Sequence, residues 1–204
     1  MSIEERFAQQ PTLHVAILVF PDVEVLDFAG PFEVFSVAAR IAPKPLPFTV
    51  SLVGETGESV AARHGMGVVP HYSFHNAPPV DLLIVPGGVM TEPLANPATL
   101  AWVAHAHARA ALTASVCTGA FVLARLGLVD GLAVTTHWED IPALRETYPT
   151  LDVREQVPYV DHGALITSAG ISAGIGMSLH LVARILGTAH ARATARQMEY
   201  SWAP

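Results

Sequence analysis

The sequence predicts an α/β fold in which helices flank a mostly parallel central sheet. Short apolar runs that are almost continuous alternate along the chain with longer segments of helical periodicity. Such runs are typical of strands covered on both faces, and strands that alternate with helices pair in parallel. The 204 residues contain no evident linker, internal repeat or second-domain boundary, so we expect one domain over residues 1–204, with 1–12 a polar N-terminal extension.

The predicted strands are short and rich in branched apolar residues. They cover residues 14–20, 48–53, 81–85, 112–116 and 133–136. The segment 153–168 alternates around Asp161-His162-Gly163 and predicts a hairpin. The stretch from Glu55 to Pro79 is rich in Gly, Pro and His, which predicts a further hairpin and loop.

Helical periodicity fills the segments between the predicted strands. Gly30-Pro31 is interpreted as a turn with proline at the first helical position, so a helix is expected to begin there and to end at the proline cluster of 43–47. Further helices are predicted at 97–110, 120–126, 140–147, 171–186 and 188–200. The apolar region 164–186 is interrupted by polar residues, which predicts a strand and a buried helix and no membrane span.

Charge and cysteine content argue against several classes of function. The chain has 11 Lys and Arg against 18 Asp and Glu, a net charge of -7, and no basic run. Because nucleic-acid affinity rests on clustered cations, we expect no nucleic-acid partner. A single cysteine cannot form an intramolecular disulfide, and the polar start has no signal-peptide pattern, so we expect a reducing, cytoplasmic location and no membrane partner.

The only cysteine lies where a predicted strand turns directly into a helix, in Ser115-Val-Cys-Thr-Gly-Ala120. Cys117 at such a tight turn projects from the ligand-binding edge of the sheet, which is the geometry of a nucleophile elbow. The positive end of the helix dipole is expected to favour its thiolate. The alternative is that Cys117 only fills a core position, since cysteine is often buried.

A second strand end supplies Gly87 and Gly88 in Val85-Pro-Gly-Gly88. Glycines there can bring backbone N–H groups close to a developing anion, as an oxyanion hole requires. A Gly-Gly pair after a strand is more often simply a turn. The nearby Cys117 elbow is what makes a substrate-binding role worth considering.

An acid near the end of the first strand is a candidate partner for the thiol. Asp27 lies in a region that can reach the same edge of the sheet, where it could exchange a proton with Cys117. Asp22 and Glu24 are its competitors in the same loop. From the residues alone, a solvated loop acid or a helix cap is the favoured interpretation of Asp27.

Histidine and aromatic residues give weaker signals. The spacing of most of the 10 histidines builds no rigid metal site, so we expect no metal. His137 is different because it follows a short strand, and it is interpreted as a proton relay, a cap or a dimer contact. Phe28, Phe32 and Trp138 either line an apolar pocket or belong to the core, with the core favoured.

Five separated motifs resemble the ThiJ/PfpI superfamily, specifically its isonitrile hydratase branch. The similarity runs from about residue 14 to 200, and the motifs are Leu26-Asp27 with Gly30-Pro31, Val85-Pro-Gly-Gly88, Ser115-Val-Cys-Thr-Gly-Ala120, Thr135-Thr-His-Trp138 and Ala169-Gly-Ile-Ser-Ala-Gly174. The resemblance implies a three-layer sandwich of the flavodoxin-like or class I glutamine amidotransferase-like type. It also implies a homodimer that acts on a small-molecule substrate without a cofactor.

Residue by residue, the resemblance assigns Cys117 as the nucleophile, Asp27 as the acid/base and Thr118 as the neighbouring threonine needed for activity. The implied reaction adds water to an isonitrile and gives an N-substituted formamide. Asp27 would have to start protonated near neutral pH, which requires burial and an adjacent thiolate to raise its pKa from about 3.9.

Other branches of the superfamily give the alternatives. The protease-like branch has histidine directly after the cysteine, and Thr118 in that position disfavours peptide hydrolysis. A non-catalytic sensor related to AraC-type regulators is a second possibility, although the sequence ends at Pro204 without the helix-turn-helix module those regulators carry. An oxidative-stress or glyoxalase-like thiol protein is the third, but those branches typically use glutamate where Asp27 is found.

Overall fold

A seven-stranded sheet forms the centre of the protein in a computed structural model that describes residues 1–203. The strands of the chain are β1 (Leu13–Leu18), β2 (Phe48–Gly54), β3 (Val60–Ala61), β4 (Gly67–Val68), β5 (Tyr72–Ser73), β6 (Leu82–Val85), β7 (Leu112–Val116), β8 (Ala133–Val134), β9 (Asp152–Val153), β10 (Tyr159–Asp161) and β11 (Leu165–Ser168). The main sheet has the order β10-β11-β7-β6-β1-β2-β5. Only β10 runs antiparallel to its neighbour, so the predicted mostly parallel sheet is confirmed.

Helices cover both faces of the sheet. They are α1 (Ile3–Gln9), α2 (Val25–Ile41), α3 (Thr91–Ala95), α4 (Pro97–Arg109), α5 (Ala120–Arg125), α6 (Ile141–Thr147), α7 (Ala173–Leu186) and α8 (Thr188–Gln197). The path from β1 to β2 and the path from β6 to β7 run in opposite directions along the sheet, so right-handed crossovers place α2 and α4 on opposite faces. The predicted three-layer arrangement follows from this topology.

The central strands supply the core. Every residue of β6 and β7 and all but one residue of β1 is buried, as expected of strands that are covered on both faces. Parallel pairing brings the carboxyl ends of β1, β6 and β7 to one edge of the sheet. This edge is where open α/β sheets bind their ligands.

The start of α2 differs from the prediction. The helix begins at Val25, so Gly30-Pro31 lies inside it and Asp27 lies in its first turn. Gly30 is needed inside the helix, because a Cβ there would lie 2.9 Å from Ile175 Cγ1 where α2 crosses α7. The predicted helix start at Pro31 is therefore wrong, and the missing proline N–H costs α2 only one internal hydrogen bond.

Smaller differences concern short elements. The strands β5 and β9 and the helix α3 are additional to the prediction, and β8 pairs with β9 outside the main sheet. The region 164–186 forms β11 and α7, as predicted. In residues 1–203, no helix has both the length and the apolar character to cross a bilayer.

The residues expected as a polar N-terminal extension form α1. Ser2 and Glu5 build a capping box at its start, and Ile3 is buried in the core. Glu4 pairs with Arg184 of α7 at 2.7 Å, which ties α1 to the helical layer.

Candidate active site

Cys117 occupies a strained turn between β7 and α5. Its φ of 55° is in the left-handed region, which non-glycine residues rarely adopt and which often marks a functional site. Cys117 N–H donates to Ala169 O at 3.3 Å, and its carbonyl accepts from Thr136 Oγ1 at 2.9 Å. Gly119 lets the turn close, because a Cβ there would lie 2.1 Å from the Val85 carbonyl oxygen at the end of β6. The turn has the geometry expected of a nucleophile elbow.

Asp27 lies beside this thiol with no exposed surface. Its Oδ2 accepts the Gly87 N–H at 2.9 Å, whereas Oδ1 is buried and makes no hydrogen bond of normal geometry. Burial raises the pKa of Asp27 to about 7, and the charge of Glu24 adds to the rise against the hydrogen bonds from Gly87 and Cys117. The interpretation of Asp27 as a solvated loop acid is therefore wrong, and the acid holds its proton up to neutral pH.

The Cys117 thiol is also buried, which changes its expected charge. Burial, and then the charge of Asp27, raises the pKa of Cys117 to about 12, although the N–H groups of Thr118 and Ile171 donate to the sulfur and oppose the rise. The predicted preference for the free thiolate is wrong, because desolvation outweighs the small stabilisation that one helix end provides. Once the pH exceeds about 7 and the Asp27 carboxyl group has lost its proton, the proton that the pair keeps is therefore the thiol proton of Cys117.

Thr118 and the two predicted glycines form the wall next to the sulfur. Gly88 N–H donates to Thr118 Oγ1 at 3.0 Å, and that hydroxyl donates to Gly88 O at 3.2 Å. Gly87 has room for no side chain, because a Cβ there would lie 2.5 Å from Thr118 Oγ1. Both glycine N–H groups are thus already bonded, one to Asp27 and one to Thr118, so in this arrangement they hold those side chains and are not free to bind an oxyanion.

His137 lies in the wall of the same cavity. Its Nδ1 is 3.5 Å from Asp140 Oδ2 and 3.8 Å from Glu139 Oε2. The other side of the ring packs on Gly170, where a Cβ would lie 2.0 Å from Cδ2. The imidazole therefore connects the acids of the turn Trp138–Asp140 to the loop before α7, and its role as a relay or dimer contact stays a prediction.

A cavity of about 400 Å³ opens above Cys117 and Thr118. Most of its other lining residues are polar or charged: Glu24, Arg63, His64, His137, Glu139 and Asp140. The three aromatic residues considered for an apolar pocket do not line it. Phe28 is buried in the core, Phe32 packs against the core and stacks on His71, and Trp138 is 73% exposed, so the core interpretation holds for the two phenylalanines and fails for Trp138.

Several residues of this site were not assigned to it from the sequence. Ile171, with a φ of 45°, lies in the loop before α7, although it was predicted to begin that helix. The motif Ala169-Gly-Ile-Ser-Ala-Gly174 was a signal for this loop, but nothing in it indicates a backbone N–H aimed at sulfur. Arg63 and His64 come from the turn between β3 and β4, where no pattern points to a ligand.

The structure offers no evident metal centre in residues 1–203, where no three His, Cys, Asp or Glu side chains are grouped closely enough to hold an ion.

Comparison with known proteins finds a matching family model and several similar chains. The model of the DJ-1/PfpI family matches residues 13–184. The isonitrile hydratase of Pseudomonas putida is 34% identical over 196 residues, which cover 94% of this chain and 80% of that protein. The HTH-type transcriptional regulator CdhR of Pseudomonas aeruginosa is 33% identical over 83% of this chain, but the match spans only half of that regulator.

Solved structures share the fold. A ThiJ/PfpI family protein from Pseudomonas syringae superimposes with a TM-score of 0.81 at 29% identity, covering 95% of this chain and 77% of that one. Drosophila melanogaster DJ-1beta gives a TM-score of 0.78 at 18% identity, covering 93% of this chain and 99% of that one. The sheet order and the flanking helices are thus those of a known architecture.

Proposed function

Because the chain belongs to the DJ-1/PfpI family, we propose that it is a cysteine-dependent hydratase that converts isonitriles to N-substituted formamides. The observation that carries the proposal is the pairing of an elbow cysteine with a buried carboxyl group whose pKa is raised to about 7. A general acid/base works best when its pKa lies near the working pH. The 34% identity to an isonitrile hydratase supports the choice of substrate class.

The first step forms a covalent intermediate. The Asp27 carboxylate takes the Cys117 thiol proton as the sulfur attacks the terminal carbon of the isonitrile. Asp27 then delivers the same proton to that carbon. The product is a thioimidate in which carbon is bonded to sulfur, hydrogen and the substituted nitrogen, and Asp27 is a carboxylate again.

The second step consumes water. Asp27 takes a proton from a water molecule as the oxygen bonds to the thioimidate carbon, and this proton passes to the nitrogen. Collapse of the tetrahedral intermediate breaks the carbon–sulfur bond and releases the formamide, while the proton of the new hydroxyl group returns to sulfur through Asp27. One water has then been added, and Cys117 and Asp27 recover their starting protonation.

The surroundings assist this cycle without donating a proton of their own. The N–H groups of Thr118 and Ile171 stabilise negative charge as it develops on sulfur. The hydroxyl of Thr118, held by Gly88, orients the attacking water. In this proposal Gly87 and Gly88 are positioning residues, since their N–H groups fix the acid and the threonine.

Formamide production from a small alkyl isonitrile tests the proposal directly. Purified wild type is compared with Cys117→Ala and Asp27→Asn, and with Asp161→Asn as a control that removes a carboxylate from a cluster elsewhere in the fold. We expect formamide from wild type and Asp161→Asn, and loss of activity by a factor of roughly 10² or more in the other two. Folded wild type that makes no formamide, or an active Cys117→Ala variant, would overturn the proposal.

A sensor is the second candidate, favoured by the similarity to CdhR over 83% of this chain. A sensor needs the cavity but not the cycle of Cys117 and Asp27. Folded protein that binds a small ligand in the cavity without turning over any isonitrile would support this candidate against the first.

The proposal also covers location and assembly. Cys117 must remain a free thiol, which fits a reducing, cytoplasmic compartment. We further propose a homodimer and no nucleic-acid partner, in keeping with the net charge of -7.

A further inference from the structure

The cavity above Cys117 carries more negative than positive charge on its walls. Three carboxylates line it, those of Glu24, Glu139 and Asp140, against the single guanidinium group of Arg63. Arg63 Nε lies 3.8 Å from Glu24 Oε2, so this cation balances that acid. Counting the carboxylates and the guanidinium group alone, the wall has an excess of two negative charges.

The two acids without a strong cation lie together at the mouth of the cavity. Glu139 and Asp140 belong to the turn Trp138–Asp140, and their side chains are 65% and 39% exposed. Within residues 1–203 neither forms an ion pair with an Arg or Lys. Their neighbour is His137, whose Nδ1 is 3.8 and 3.5 Å away, and both carboxylates keep exposed surface that a ligand can reach.

A separate observation concerns the reaction centre behind the base of this cavity, which Cys117 and Thr118 line. Asp27 lies next to the Cys117 thiol and is fully buried, and its Oδ1 has no hydrogen-bond partner. The negative charge of the wall also reaches this base. After burial, which is the main cause, Glu24 contributes to the raised pKa of Asp27 and Asp140 to that of Cys117. A group bound between base and mouth is therefore held in a negative potential.

We propose that Glu139 and Asp140 select isonitriles whose substituent carries a positive charge, such as an alkylammonium group. This inference rests on the hydration reaction proposed above, in which the isonitrile carbon meets the Cys117 sulfur and the substituent extends toward the mouth. A cation there is attracted by two carboxylates, whereas a carboxylate on the substituent is repelled by them. Salt weakens both effects, because the carboxylates are accessible to solvent.

Three alkyl isonitriles of matched size test the selection. One ends in a trimethylammonium group, one in the neutral tert-butyl group of the same shape, and one in a carboxylate. At low salt we expect kcat/KM to fall in that order, with the cationic compound roughly tenfold better than the neutral one. In the double variant Glu139→Gln, Asp140→Asn, the ratio of the cationic to the neutral compound should fall to about one.

A matched control keeps the result specific to the cavity. Glu146→Gln removes one negative charge from the exposed face of the neighbouring helix α6 and should leave the ratio as in wild type. Raising the salt to about 0.5 M should reduce the ratio in wild type and not in the double variant. A wild-type ratio near one at low salt, or an unchanged ratio in the double variant, overturns the inference.

Calorimetric binding separates this inference from the proposed reaction. The three matching N-substituted formamides, which are the products, are titrated into wild type and the double variant. Tighter binding of the cationic formamide to wild type only, with no turnover of any isonitrile, would keep the charge selection and reject the hydratase. Equal binding of all three compounds would reject the charge selection even if the isonitriles are hydrated.

Discussion

Two aspartates of this protein each accept a hydrogen bond from a glycine N–H, but their pKa values are shifted in opposite directions. Asp27 accepts the Gly87 N–H at 2.9 Å, and Asp161 accepts the Gly163 N–H at 2.6 Å. Asp161 also lies 2.7 Å from His180 Nε2 and 3.1 Å from Arg184 Nη1. Burial pushes the pKa of both carboxyl groups up, but the hydrogen bonds from His180 and Gly163 and the charge of Arg184 hold the pKa of Asp161 below its ordinary value, whereas that of Asp27 rises to about 7.

The comparison separates a carboxylate that stabilises the fold, Asp161, from a carboxyl group that can exchange a proton, Asp27. The Asp161 cluster joins the hairpin of β10 and β11 to α7, and Arg184 extends it to Glu4 of α1. Asp27 receives no cation, so its charged form is unfavourable and its proton can be exchanged near neutral pH. Four experiments sharpen this contrast.

The largest expected effect is on the pH dependence of stability. Because the folded-state pKa of Asp27 lies above its unfolded value of 3.8, its favourable contribution is present below that value and is lost as pH rises through about 7. Between pH ~4 and ~8, wild type should lose about 4 kcal/mol of unfolding free energy relative to Asp27→Asn. Denaturant unfolding of both proteins across this range measures the difference, and parallel pH curves for the two would contradict it.

The glycines that donate to the two aspartates come next. Gly87→Ala should lower kcat/KM by roughly 10² or more, because its Cβ would lie 2.9 Å from Asp27 Oδ2 and 2.5 Å from Thr118 Oγ1. Gly163→Ala meets no atom within 4 Å but has a φ of 84°, so it should cost about 1 kcal/mol of stability and leave the kinetics unchanged. Steady-state kinetics with thermal unfolding measures both, and an active, fully folded Gly87→Ala variant would argue against the placement of Asp27.

The activity profile is the third contrast. The proposed cycle starts from the Asp27 carboxylate and the Cys117 thiol, so kcat/KM should fall about tenfold per pH unit below pH ~7 and reach a plateau above it. Asp161→Asn should keep the same profile. A plateau that extends down to pH ~5 in wild type would mean that Asp27 does not act as the base.

The smallest effect belongs to the cation-paired acid. The pKa of Asp161 is lowered, so its contribution to stability is present above the ordinary value and is lost as pH falls through the folded-state pKa. Asp161→Asn should therefore cost about 1 kcal/mol at pH ~7, and less as the solution is acidified below pH ~4. Chemical denaturation at both pH values checks this, and an equal loss at both would show that the ion pairs contribute nothing.

Most of the sheet is predictable from sequence because its signal is local. The run that becomes β6 is apolar throughout, those of β1 and β7 are mostly apolar or small, and the predicted strand 112–116 agrees with β7 at both ends. The elbow is also local, since a strand, one cysteine and two small residues follow directly along the chain. For these elements the pattern and the structure depend on the same few residues.

The electrostatics of the site depend on contacts far apart in sequence. Asp27 accepts its hydrogen bond from Gly87, 60 positions away, and the sulfur meets the N–H of Ile171, which lies in the loop before α7. Gly30 allows α7 to pack on α2 but resembles a turn residue when its distant neighbour Ile175 is unknown. The start of α2, the raised pKa of Cys117 and the hydrogen bonds made by the Gly87 and Gly88 N–H groups therefore could not be predicted from the sequence.

The contact of Gly119 with Val85 also decides where this protein can change during evolution. Any side chain at position 119 would collide with a backbone oxygen of the adjacent strand, so selection has almost no variation to act on at the turn. The polar residues Arg63, His64, Glu139 and Asp140 line the cavity from surface turns, which tolerate exchange better than the turn at Gly119 does. A library restricted to these four positions would vary the entrance of the cavity while Cys117, Asp27 and Thr118 stay unchanged.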